Sequence, residues 1–197
     1  MPFGKAQVSI ILIISLLISL TVHEAAHAYV AFKLGDDTAK NEGRLTLNPL
    51  AHLDPIGTLS LIFFRIGWGK PVPVNPNNFK NPSLHNFFVA LSGPASNLAL
   101  SLIAAILLRI FSQNDLVTSF LSLFIVLNTF LMIFNLLPIP PLDGSKIWHL
   151  VLNDEAYYTL ERMGPLILIA VLLFSFTFGG IFSIIENISF SIVNLLT

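Results

Sequence analysis

Residues 7–34 form one continuous apolar run, and ionisable groups stand in its interior: His23, Glu24 and His27. A helix there would face lipid before and after them. A charged group at the bilayer centre costs about 2.5–3.5 kcal/mol to insert, so such a group marks a functional site by default. The spacing narrows the function. His23 and His27 are i and i+4, so on a helix both imidazoles lie on one face, one turn apart. Two imidazoles so placed can take two corners of a zinc tetrahedron. Glu24 stands beside them, completing H-E-x-x-H, in which the histidines bind zinc and the glutamate is the general base. The structural alternative is two histidines packed against neighbouring helices, with Glu24 paired to a cation.

The rest of the chain repeats the apolar theme. Of 197 residues, 54% are hydrophobic and 11% charged. A mean hydropathy of +0.79 therefore describes a polytopic membrane protein. A net charge of −1 gives no argument for nucleic acid. With no cysteine, any metal must use His, Asp or Glu. The apolar run is too long for a cleaved leader, and a cut at Ala26-His27-Ala28 would destroy the motif.

The expected fold is an all-α polytopic membrane protein, with residues 1–197 as a single domain. Spans are expected at 7–34, 86–110, 116–137 and 164–186, with 187–197 extending the last after a break. Residues 55–66 are too short to cross comfortably and read as a re-entrant or interfacial helix. Alternation in 44–48 and 71–75 predicts a small membrane-associated β element, with prolines confining the second piece to an edge. Residues 146–162 read as a helix lying at the interface. With four spans, Lys33, Lys40, Arg44, Arg65, Lys70, Lys80, Lys146 and Arg162 fall on one side, and Lys5 and Arg109 on the other. The positive-inside rule makes the first side cytoplasmic.

Zinc needs a third protein ligand, with water in the fourth position. Candidates are His52, Asp54, His85, Asp143, His149 and Glu186. Depth selects among them. At 1.5 Å per residue, His27 and His23 lie roughly 9–15 Å inside the cytoplasmic boundary. Asp143 approaches from that side on a proline-broken segment able to dip inward. His85 and His149 read as interfacial, His149 as solvated, and Glu186 as remote. His52 and Asp54 are either partners that orient a ligand or caps of the next helix. Asn97, among the small residues Ser92, Gly93, Ala95 and Ser96, reads as packing contact or an interhelical bond.

These motifs, in this order, resemble the site-2 protease family of intramembrane zinc metalloproteases. The resemblance rests on His23-Glu24-x-x-His27, then Gly93-Pro94-x-x-Asn97, then Asn135-x-x-Pro-x-Pro-x-Leu-Asp143-Gly144. Gly43–Gly57 and Gly67–Asn75 are similar to a small prokaryotic branch. The resemblance implies a zinc-dependent endopeptidase with His23, His27 and Asp143 on the metal, Glu24 as base and Asn135 steadying the oxyanion. It implies a membrane protein substrate, cut within or near a transmembrane segment, whose unwound backbone pairs with the sheet edge. These 197 residues leave no room for the PDZ or CBS domain of better-known members. The alternatives are a small zinc-binding transporter, or a non-catalytic membrane protein of the same fold.

Overall fold

The computed structural model describes residues 5–64, 68–111, 114–178 and 180–196. Its helices are α1 (Lys5–Lys33), α2 (Thr38–Asn41), α3 (Pro55–Phe64), α4 (Pro82–Ile110), α5 (Asp115–Asn135), α6 (Trp148–Val151), α7 (Asp154–Phe178) and α8 (Ile181–Leu196). Four of them, α1, α4, α5 and α7, are long and apolar enough to cross a membrane. Sequence features set their ends. The side chains of Asn81 and Asn114 accept backbone N–H groups at the starts of α4 and α5. Gly35, at a φ of 107°, takes the left-handed turn after α1.

Helix α4 is central, packing against α1 on one side and α5 on the other. Small residues permit this: Ala104 and Ala105 are buried against Leu121, Phe124 and Ile125 of α5. Helix α8 closes the far side of α5 through Val193. Helix α7 leans outward, touching mainly α6 and α8, and much of its surface is exposed. The outer faces carry Ile10, Ile103, Ile106, Leu166 and Leu173, as lipid-facing helices should.

Two expectations need correction. The small β element does not form. Among the described residues there is no strand, only an isolated antiparallel bridge between Leu53 and Gly69. Residues 44–48 are irregular, with a bend at Leu45-Thr46, and lead into a 3₁₀ turn at Pro49–Ala51. Residues 71–75 are free of helix but lack a ladder partner, because Pro71 and Pro73 have no N–H. Side chains take the ladder's place. Arg44 donates to Lys70 O (2.5 Å) and Pro71 O (3.1 Å), and Asp36 accepts from Asn75 N (2.8 Å). The fourth span also starts earlier than 164. The segment expected as one interface helix over 146–162 divides into a 3₁₀ turn (Asp143–Ile147), α6, and the first turns of α7. Helix α7 then runs through Pro165, and Gly164 lets it pass Pro140, where an added Cβ would stand 2.4 Å from the Pro140 ring. That span also ends earlier than 186: α7 stops at Phe178 and α8 begins at Ile181, so the break expected before residue 187 comes earlier, and the tail is helical as expected. Helix α3, at ten residues, is about 15 Å long and falls short of a span.

Candidate metal centre

Helix α1 delivers two of the groups without help from tertiary structure. His23 and His27 are buried on its inner face. Their rings meet edge to face, and their Nε2 atoms are 3.0 Å apart. Each ring is held from behind by α4. His27 Nδ1 donates to Val89 O (2.7 Å), and His23 Nδ1 lies 2.7 Å from Asn97 Oδ1. A carbonyl only accepts, so neutral His27 keeps its lone pair on Nε2. Helix α4 can come this close because residue 93 is glycine. A Cβ there would stand 2.5 Å from both Nε2 atoms.

The third group arrives on a broken chain. After α5 ends at Asn135, prolines prevent the helix from continuing, and the 3₁₀ turn beginning at Asp143 reaches back to α4. Trp148 Nε1 donates to Pro138 O (2.8 Å), and Ser145 Oγ to Leu142 O (2.6 Å). Gly144 is wedged against the Leu136 and Leu137 carbonyls, where an added Cβ would be 2.2 Å from Leu136 O. Asp143 Oδ2 then stands 3.1 Å from His23 Nε2 and 3.4 Å from His27 Nε2.

These three atoms form a triangle with edges of 3.0, 3.1 and 3.4 Å. Zinc bonds of about 2.0–2.1 Å in tetrahedral geometry place ligand atoms about 3.3 Å apart. The triangle therefore fits one face of such a tetrahedron. The Asp143 oxygen is buried and has no hydrogen bond of acceptable geometry. Acceptors converging this closely repel one another unless a cation stands among them. Among the described residues no other group of three His, Asp or Glu side chains converges in this way.

Glu24 faces a cavity of about 480 Å³ that His27, Asp143, Val72 and Tyr157 also line. Its Oε2 accepts the Val72 N–H (3.0 Å), so the extended 71–75 segment lies across the mouth of the site. Arg44 and Asp36 hold that segment in place. Burial pushes the Asp36 carboxyl up, but hydrogen bonds from the Thr38 side chain, Asn75 N, Asn78 and Thr38 N outweigh it and hold the group below the usual carboxylate range.

The other candidates are placed elsewhere. Asp54 Oδ1 accepts Gly57 N (2.7 Å) as the cap of α3. His52 is buried, its Nε2 donating to Thr46 O (2.9 Å) and its carbonyl accepting Lys70 N (2.8 Å), so it braces the loop. His85 sits in the first turn of α4 against Phe79. His149 is not solvated as expected. It is buried, stacked on Tyr157 at 4.1 Å, with Asp154 3.5 Å away, and it lines the cavity. The Glu186 side chain and Arg65 lie outside the described residues. Asn135 Nδ2 donates to Leu131 O (3.0 Å), within its own helix. Sequence reasoning missed Asn128 of α5, which bonds Asn97, although an amide in an apolar helix is itself a signal. It also missed the Lys146–Glu161 ion pair beside the cavity.

Residues 111–179 match the profile of Peptidase family M50. The chain is 48% identical over 145 residues to “Putative zinc metalloprotease YwhC” of Bacillus subtilis, covering 69% of this chain and 66% of that protein. It is 33% identical over 181 residues to “Putative zinc metalloprotease Rip2” of Mycolicibacterium smegmatis, covering 87% of this chain and 70% of that protein. The Rip2 of Mycobacterium tuberculosis is 31% identical over 189 residues, covering 92% and 73%. The chain belongs to peptidase family M50. It spans about two thirds of the length of these relatives. No solved structure matches it. Membership of a peptidase family and four helices able to cross a membrane make it a multi-pass membrane protein of that family, and the transporter alternative is not favoured.

Proposed function

We propose that residues 1–197 form one catalytic domain in which His23, His27 and Asp143 hold a single zinc ion, and that this M50 peptidase hydrolyses peptide bonds in or near transmembrane segments of other membrane proteins. The observation that carries the proposal is the buried triangle of donor atoms with Glu24 beside it, opening onto a cavity. Zinc, when bound, polarises the scissile carbonyl and makes water a nucleophile near neutral pH. Glu24 takes the proton of the attacking water and returns it to the leaving nitrogen, so the peptide C–N bond breaks as the new C–O bond forms. Asn135, whose amide bonds Leu131 O in this structure, would donate an N–H to the developing oxyanion once substrate is bound, an interaction worth about 3–4 kcal/mol in a good site.

A transmembrane helix hides its carbonyls in its own hydrogen bonds, so a substrate must unwind before it is cut. The 71–75 segment lies at the cavity, free of helix, which supports an extended substrate there. Lys/Arg placement supports a site open to the cytoplasm. The test is Glu24→Gln in the full chain. Zinc content should stay at wild-type level, while cleavage of a membrane-tethered reporter is lost. Undiminished cleavage would overturn the assignment.

A further inference from the structure

Behind His23 runs a chain of buried amides that crosses two helices and ends on a backbone carbonyl. Asn128 Nδ2 of α5 donates to Phe124 O (2.9 Å). Asn128 Oδ1 is 2.9 Å from Asn97 Nδ2 of α4, and Asn97 Oδ1 is 2.7 Å from His23 Nδ1. Asn97 and Asn128 are fully buried, at 0% exposure, so bulk water does not reach them.

The end of this chain decides its direction. The Phe124 carbonyl can only accept, which turns the Asn128 NH₂ toward it and the Asn128 oxygen toward Asn97. That oxygen requires the Asn97 NH₂, leaving the Asn97 oxygen for His23. His23 Nδ1 must then carry the proton, and its lone pair falls on Nε2, inside the donor triangle. An amide flipped anywhere along the chain would set two lone pairs or two N–H groups face to face. A flipped Asn97 would reverse the tautomer and place an N–H where a ligand lone pair is needed.

We infer that Asn128 is a positioning residue for the metal centre. Acting through Asn97, it sets the tautomer and aim of His23 from a neighbouring helix. The inference rests on the zinc-site reading above. One turn along α4, opposite the residue after Asn128 on α5, lies a built-in control. Ser101 and Thr129 also meet between α4 and α5 (3.3 Å), but neither touches a ligand.

The test is zinc affinity of the detergent-purified full chain, by chelator competition, with the absorption spectrum of the cobalt-substituted protein as a report on ligand geometry. Asn128→Leu should weaken zinc roughly 10- to 100-fold, the usual effect of removing a ligand's outer partner, and alter the cobalt spectrum. Thr129→Val should change neither. Asn97→Asp presents an acceptor oxygen to His23 in either orientation, at the cost of an oxygen facing Asn128 Oδ1, so its zinc affinity no longer depends on which way an amide points. In that background Asn128→Leu should no longer weaken it. If Asn128→Leu has no effect in the parent chain, or an equal effect in both backgrounds, the inference is overturned. It is overturned likewise if Thr129→Val weakens zinc as much, since the effect would then be helix packing. A parent chain that binds no zinc would instead sink the metal-site reading, and this inference with it.

Discussion

The two halves of the metal centre reach the same point by different physical means. Helix α1 carries His23 and His27 on one face by its own periodicity, and its backbone bonds are local. The segment after α5 carries Asp143 on a short 3₁₀ turn with no periodicity to aim it. That turn is aimed by contacts of the residues around the ligand, including Trp148 on Pro138 and the wedge of Gly144 against Leu136. The helical half should therefore tolerate changes between its ligands, and the turn-borne half should not.

Removing a ligand should erase the difference. His27→Ala and Asp143→Ala should each lose tight zinc binding and lower cleavage by roughly three orders of magnitude, as expected where the metal supplies several kcal/mol. Metal analysis alongside reporter cleavage checks this, and a gap between the two variants would show that one ligand is dispensable. The sharper contrast lies in small backbone-neighbour changes. Gly144→Ala forces a Cβ against backbone and should cost about 1–3 kcal/mol, with weakened zinc binding. Ala26→Gly, between the two histidines, should cost only about 1 kcal/mol and leave zinc affinity unchanged. Thermal unfolding and chelator competition on the two variants would measure the asymmetry. Equal zinc loss would break the comparison.

Smaller effects belong to the loop that holds residues 71–75 over Glu24. Arg44→Ala removes the donors to Lys70 O and Pro71 O and should destabilise by about 1–3 kcal/mol. Cleavage should fall while zinc content is kept, because neither half of the metal centre is touched. The smallest effect is acid sensitivity at Asp36. Its carboxyl is held below its ordinary value in the folded chain, so the stability it contributes is present above the unfolded pKa of about 3.9. That contribution fades as pH falls from there through the lower folded value. Asn78→Ala removes one of its donors and should shift the loss of stability to higher pH, read as the acid limb of a pH–stability curve.

The sequence alone determined what can be written in periodicity and hydropathy. Four apolar stretches became the four long helices, and the i, i+4 histidines came together because a helix allows nothing else. The prolines marked where α5 had to stop. Alternation in 44–48 and 71–75 misled because strands require partners. Pro71 and Pro73 withhold the N–H groups a ladder uses, and Arg44, Asp36 and Glu24 take the remaining backbone contacts. The charged and polar residues before 164 also hid the true start of α7, which begins at Asp154 and runs through Pro165. The sequence named Asp143 as third ligand, but tertiary structure set how it closes the triangle, and it alone decided that His149 stacks on Tyr157. It also decided that Asn128 stands behind Asn97. No repeat distance relates the partners in these contacts: the packing of α1, α4, α5 and the turn at Asp143 brings the ligands and the two asparagines within bonding range, and the meeting of α6 with α7 brings His149 onto Tyr157.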